Sequence, residues 1–384
     1  MDTASATDRT TYRPEFFRLS DLSDQARLKE LLNTNAAIRI HDDLHAQLTE
    51  LVRTLNPSRK FTKEDLDRAA IEHLKGVDPK TYGVWVYYPW SNCLVHLLDG
   101  PEFAAVRTDR NRNKITREEQ EILATKKVGV IGLSVGQSVS LTMALERSFG
   151  EIRLADFDTL ELSNLNRIRS GVHEMGTPKV VNTAREIAEL DPFLKVVCYN
   201  EGITTGNIER FLTEGGKLDL LVEECDSVDV KIFARQHCKA LGIPVVMDTS
   251  DRGLVDVERY DLEPERPLVH GRMEGLDINA INGPMTADQK LEYILAMVGK
   301  ATLSERMRAS FPEIGRSLLT WPQLGGHVAL GGALTAEVCR NISTNRMTCS
   351  GRWYIDLEDL LRSDRSTVTN SGLPPSIRKE SIDT

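Results

Sequence analysis

Residues 127–158, KVGVIGLSVGQSVSLTMALERSFGEIRLADFD, read as a strand, a glycine turn, a helix and a second strand. Residues 128–131 are a short apolar run with β-branched members, which suits a strand buried on both faces of a parallel sheet. Gly132 and Gly136 bracket a turn whose backbone can take positive φ and come close to a ligand. Apolar residues then recur at helical spacing (Val139, Leu141, Met143, Ala144, Leu145), and Gly150 is placed to stop the helix. Residues 152–157 make the second strand, which ends among Asp156 and Asp158. A glycine turn feeding a helix N-terminus suits a phosphate, because unpaired N–H groups and the helix dipole both favour an anion. A carboxylate 24 positions after Gly132, at the tip of the next strand, is placed to hold a ribose.

The alternation continues downstream. A helix over 180–190 ends at Asp191-Pro192, and a strand follows over 194–199. Next come a short helix (208–212), a buried strand (218–222) running into EECDSVD, a helix (230–241) and a strand (243–247) running into DTSDRG. This pattern predicts an α/β fold: a Rossmann-like, doubly wound, mostly parallel sheet whose ligands sit beyond the carboxyl ends of the strands. Asp156, Asp158, Asp226, Asp248 and Asp251 all fall at such ends. After residue 275 the spacing predicts helices over 286–298, 304–310 and 325–342 and a strand over 353–356.

Upstream, residues 19–55 carry apolar residues at three-to-four spacing, and Thr62 is placed to cap a helix with Glu64 and Asp65 in its first turn. Residues 84–88 and 93–98 read as two strands joined by a Pro-Trp-Ser-Asn turn. The expected organisation is a flexible tail (1–14), a small N-terminal α+β domain suited to docking a peptide (15–105) and the nucleotide-binding domain (106–275). A helical and strand extension of that domain (276–362) and a disordered tail (363–384) complete it. An arginine-rich joint, RTDRNRNKI, spans 107–115, and Thr116 with Glu119 forms a capping box.

The chain has 384 residues, enough for a large core and more than one domain. A net charge of −9 argues against general affinity for nucleic acid or anionic membrane. No apolar run reaches spanning length and the first residues lack a signal-peptide core, so the cytoplasm is expected. The six cysteines are scattered without a C-x-x-C pair, which argues against a disulfide framework and a structural zinc site.

The run DFDTLELSNLNR (156–167), followed by GTPK (176–179) and ECD (224–226), resembles the ThiF, MoeB and ubiquitin-activating (E1-like) family. The resemblance covers roughly residues 105–260 and implies an adenylyltransferase that activates a carboxylate with ATP and Mg²⁺. It implies that Asp156 holds the ribose hydroxyls, that Asp158 lies near the magnesium and phosphates, and that Asn164 and Arg167 bind phosphate. Lys179 and Arg167 would brace charge at the α-phosphorus, and Asp226 would hold Mg²⁺. Gly132, Ser134, Gly136 and Ser138 would form the phosphate loop. Arg110 and Arg112 are similar to the arginine segment that enters the neighbouring subunit's site, implying a homodimer. An added N-terminal domain is similar to stand-alone members that mature peptide natural products, such as the microcin C and pantocin A enzymes. It implies a peptide or small-protein substrate. These residue types suit the chemistry, since attack of a carboxylate on a phosphate brings anions together and needs fixed positive charge.

The loop departs from the family's G-x-G-G-x-G: it reads GLSVGQS, with Ser134 and Val135 where glycines are expected. A nicotinamide-dependent oxidoreductase would use the turn and Asp156 but leave Asn164, Arg167, Lys179 and Asp226 idle. A non-catalytic E1-like scaffold would follow if the altered loop had lost ATP. Asp251 and Arg252 are expected to pair or to line the substrate pocket. His96, His270 and Cys225 are expected to be packed, and Lys231 to lie on an exposed helix face.

Overall fold

The computed structural model describes residues 8–277 and 286–361. Residues 1–7 of the expected N-terminal tail and all of the expected tail 363–384 lie outside the described residues. The chain divides into two compact units: residues up to 120 with 188–193, and residues 121–187 with those from 194 onward.

The first unit holds a four-stranded sheet in the order β1 (Glu15–Phe17), β3 (Val84–Tyr88), β4 (Cys93–Leu97), β2 (Arg39–Asp42). Helix α1 (Leu22–Thr34) starts at Asp21, whose carboxylate accepts the N–H groups of Ser23 and Asp24. Helices α2 (Leu44–Leu55) and α3 (Lys63–His73) bury Leu44, Leu48, Leu51, Leu66 and Ala70 in a common core. Thr62 caps α3 by accepting from the Asp65 N–H, as its position predicts. The helical reading of 19–55 is corrected by β2, which pairs in parallel with β4 between α1 and α2. All four β2 residues are exposed, so no buried face marks the strand in the sequence. His96 is buried, facing Asp42 Oδ1 at 2.9 Å and the Tyr82 carbonyl at 2.8 Å, and stacks on Trp85. Helix α4 (Gly100–Arg107) completes this unit's run of elements, and α5 (Arg117–Leu123) follows with its capping box formed: Thr116 and Glu119 exchange N–H bonds.

The second unit is built on a seven-stranded sheet. Its parallel strands are β5 (Lys127–Ile131), β6 (Glu151–Ala155), β7 (Lys195–Tyr199), β8 (Leu220–Glu223) and β9 (Val245–Thr249). Strand β10 (Leu254–Glu258) adds antiparallel to β9, and β11 (Gly351–Tyr354) adds antiparallel to β10. The spatial order is β11-β10-β9-β8-β5-β6-β7, the doubly wound, mostly parallel α/β sheet that the alternation predicts. Helices α6 (Gly136–Glu146), α7 (Lys179–Leu190), α8 (Ile208–Thr213) and α9 (Val228–Leu241) make the crossovers. Helices α10 (Ala287–Val298), α11 (Glu305–Ser310) and α12 (Gly325–Ser343) follow, with a last turn, α13 (Leu357–Leu360). The core includes Ile131, Ala155, Phe211, Leu221, Ala234 and Val245.

Three local readings change. Helix α6 ends at Glu146 rather than at Gly150, because Arg147 takes the left-handed conformation (φ 56°) and closes the helix. Gly150 instead allows a close approach, since a Cβ there would lie 1.9 Å from the Ala124 carbonyl oxygen. Strand β10 was hidden by the polar turn before it, and β11 begins two residues earlier than its tryptophan suggests. Among the described residues no helix is long and apolar enough to cross a membrane.

Candidate active site

The order of strands fixes where the site must be. From β5 the chain passes to β6 and β7 on one side, then returns to β8 and β9 on the other. The connections after β5 and β8 therefore lead apart and leave a crevice between the two strand ends. Gly132 follows β5 with φ at +86°, and a Cβ on it would lie 2.6 Å from the Cys225 backbone nitrogen. Glycine is required there on both counts: a side chain would be strained, and it would collide with backbone. The N-terminus of α6 comes next, with Val135 at its cap position and no side chain bonded to it.

A cleft of about 580 Å³ opens at this point, lined by Gly132, Ser134, Asp156, Asp158, Lys179 and Asp226 among others. Asp156 is fixed by two backbone N–H donors, Leu133 to Oδ2 at 2.7 Å and Asp158 to Oδ1 at 2.8 Å. Burial raises its pKa, against the lowering effect of Lys179. The buried Lys179 donates to Asp158 Oδ2 at 2.7 Å. Arg167 donates from Nε to Ser134 Oγ at 2.8 Å and from a terminal nitrogen to Asn166 Oδ1. Burial lowers the Arg167 pKa, and the negative charge of Asp226 acts the other way. Ser134, which stands where the family pattern has glycine, thus serves as the anchor of the arginine.

Not every expected residue faces the cleft. Asn164 is buried, and its Oδ1 accepts the Glu161 N–H, shaping the turn that carries Arg167. Gly136 makes room for β5: a Cβ there would lie 2.7 Å from Val130 Cγ1. Ser138 lies on the face of α6 toward α12, where a Cβ at Gly332 would come 2.2 Å from its hydroxyl. In the structure these three make packing and turn contacts. Arg110 and Arg112 lie in the first unit, on and just after a turn over Asp109–Asn111, where Arg112 pairs with Asp109 at 3.2 Å.

Other residues that shape the site escape a motif search. Gln137 is buried; it donates to the Arg169 carbonyl at 2.9 Å and accepts the Arg169 N–H at 2.8 Å, tying the Arg167 segment to α6. Lys231 is not exposed as expected but buried, donating to both oxygens of Glu223 at 3.0–3.1 Å. Arg235 joins Glu223 to Glu258, at 2.6 Å each. The signal was present in Glu223-Glu224, two acids closing an otherwise apolar strand, since buried carboxylates demand partners. Cys225 accompanies them, its thiol pKa pushed up by burial and by Glu223, which removes it as a ready nucleophile.

The residues fit a nucleoside triphosphate with its magnesium. Asp156 is held in a fixed orientation at the cleft, Lys179 supplies positive charge there, and Arg167 is bonded to Ser134 of its lining. Asp226 is exposed at the cleft and makes no hydrogen bond among the described residues. Mg²⁺ commonly takes one or two carboxylates and completes its shell with phosphate and water, so this single carboxylate suits it. Among the described residues no group of three acids, histidines or cysteines is arranged to hold a metal by itself.

Residues 108–261 match the model of the ThiF family. The uncharacterized protein MT1398 of Mycobacterium tuberculosis (strain CDC 1551 / Oshkosh) is 45% identical over 345 residues, which is 87% of this chain and 47% of that protein. Ubiquitin-like modifier-activating enzyme 5 of Drosophila ananassae is 31% identical over 130 residues, 32% of this chain and 33% of that one. The tRNA threonylcarbamoyladenosine dehydratase of Bacillus subtilis (strain 168) is 26% identical over 154 residues, 40% and 60% of the two chains. The chain thus spans about half the length of the Mycobacterium tuberculosis protein, and a third and three-fifths of the other two. The match and the crevice coincide: every residue named above as lining the cleft falls within the stretch 108–261 that matches the ThiF family.

Proposed function

We propose that the protein activates a carboxylic acid with ATP, giving an acyl adenylate and pyrophosphate. The observation that carries this reading is the gathering of Asp156, Asp158, Lys179 and Asp226 on one crevice within the residues that match the ThiF family, with Arg167 bonded to Ser134 of its lining. A carboxylate oxygen attacks the α-phosphorus, the bond from that phosphorus to the α,β-bridging oxygen breaks, and pyrophosphate leaves with the electron pair. No proton need move, so the site requires charge stabilisation rather than an acid or base. Arg167, steadied by Ser134, offers a planar fork to phosphate oxygens, and Lys179 acts as a point charge. Phosphate would compete with Asp158 for the lysine ammonium. Asp226 would hold Mg²⁺, which when bound neutralises phosphate charge.

The acid belongs to a peptide or small protein in this reading, supported by the similarity to a ubiquitin-like modifier-activating enzyme and by the separate first unit. The working form is a homodimer in which Arg110 and Arg112 reach the neighbouring copy's cleft. The resemblance of their segment supports this, as does the exposure of Arg112.

ATP–pyrophosphate exchange driven by candidate acids tests the reaction. Arg167→Ala and Asp226→Ala should each cut exchange by about 100-fold or more, the scale of losing one charge-stabilising group, while leaving the melting temperature in place. Wild-type exchange in either variant, or binding of NAD⁺ in place of ATP, sinks the assignment.

A further inference from the structure

A second cavity, of about 870 Å³, adjoins the nucleotide crevice, and Glu224, Cys225 and Asp226 line both. Its walls are largely apolar, from Met247, Ile294, Met297, Leu303, Phe311 and Trp321. Asp248 also lines it, at the carboxyl end of β9 and only 5% exposed. Neither oxygen of its carboxylate has a hydrogen-bond partner. The backbone makes room for this group, because a Cβ at Gly331 of α12 would fall 1.8 Å from Asp248 Oδ2.

An unpaired buried carboxylate in an apolar cavity is costly unless something completes it. Among the described residues no side chain does so: the nearby cations Lys231 and Arg235 are committed to Glu223 and Glu258. Glu224 adds a further acid, its Oε1 accepting the Asp248 N–H at 2.9 Å. Asp248 and Glu224 thus face, with no cation of their own, a cavity that opens beside the expected reaction centre, and an ammonium group there would favour their charged forms. A metal is not the complement, since no set of three ligands surrounds the spot among the described residues. The apolar walls suit instead an organic cation with a hydrocarbon stem.

We infer that this cavity is the acyl-substrate pocket and that Asp248 receives an ammonium group carried on the apolar body of the acid to be activated. The inference rests on the carboxylate-activating reading and narrows its substrate to acids bearing a basic amine. The carboxylate lies at the Asp226 end, toward the nucleotide; the amine lies at the Asp248 end. For a peptide, the residue with the reacting carboxyl carries a lysine-like side chain.

The pocket can be probed without ATP. Calorimetry on the full chain compares 1-hexylamine with 1-hexanol, which share a stem and differ in charge. The amine should bind at least ten-fold more tightly, Asp248→Asn should abolish the difference, and Asp251→Asn, at another acid lining the cavity, should preserve it. Equal binding to the wild-type protein, or a preference that survives Asp248→Asn or vanishes in Asp251→Asn, overturns the inference. Should Asp248→Asn not fold, the wild-type comparison and Asp251→Asn still decide. Exchange assays with 6-aminohexanoate against hexanoate then separate the two claims. Amine preference with 6-aminohexanoate-driven exchange upholds both. Preference without any exchange keeps the cation pocket and fells the adenylating reading. Exchange favouring hexanoate overturns the pocket's substrate role.

Discussion

Asp248 shows how one residue couples the site to stability. Burial pushes its pKa from the usual 3.8 to about 8. In the unfolded chain the group ionises above pH 4, whereas in the folded protein it keeps its proton until about pH 8. The unfolded state therefore binds fewer protons across this window, and folding stability falls as pH rises from about 4 to about 8. Glu224, raised by burial and by Asp248, acts in the same direction. Asp248→Asn removes the first of these contributions, so the variant should be more stable than wild type at pH 8 by roughly 2–4 kcal/mol and nearly equal at pH 4. Urea unfolding at the two pH values measures this. An unchanged difference between them would mean that Asp248 is ionised and compensated in the folded protein.

At the scale of elements, β8 and α9 illustrate what the sequence conveys and what it withholds. The apolar run of β8 and the spacing of α9 are local, and both were legible. Lys231 of α9 reads as exposed because lysine usually stays in water, and Arg235 four residues on carries no signal of its own. Their partners Glu223 and Glu258 lie on β8 and β10, and only the sheet order brings those strands to the same helix. The strand-end acids of the cleft were legible for the opposite reason: the alternation itself places them. The approach of Ser138 to α12 and the bond of Asn164 to the Glu161 N–H were not legible, because a motif gives positions along the chain but not which face a side chain takes. The network should be indispensable once formed, for Arg235, Glu223 and Glu258 are all fully buried. Arg235→Ala leaves Lys231 on Glu223 but takes the cation from the buried Glu258, and should cost about 3–5 kcal/mol in chemical unfolding. A loss under about 1 kcal/mol would show that Glu258 simply takes up a proton.

The whole molecule is two cores in one chain, and its tryptophans are divided between them. Trp85 and Trp90 belong to the first unit, and Trp321 and Trp353 to the second, which accounts for all four. The crevice lies wholly within the second unit, so a nucleotide that binds the folded protein should stabilise that unit directly. At 100 times its dissociation constant, Mg²⁺–ATP should add about 2.7 kcal/mol. A double Trp85→Phe, Trp90→Phe variant leaves fluorescence reporting on the second unit, and its transition should rise with ATP. A double Trp321→Phe, Trp353→Phe variant reports on the first unit. There Leu48→Ala, which truncates a core residue only 2% exposed, should lower the transition by about 2–5 kcal/mol while leaving the ATP dissociation constant within about two-fold. If ATP moved both reporters equally, the two cores would unfold as one cooperative body, and the first unit would share in nucleotide binding. If it moved only the second, the division of labour would hold: one unit binds nucleotide, and the other is free to serve the substrate.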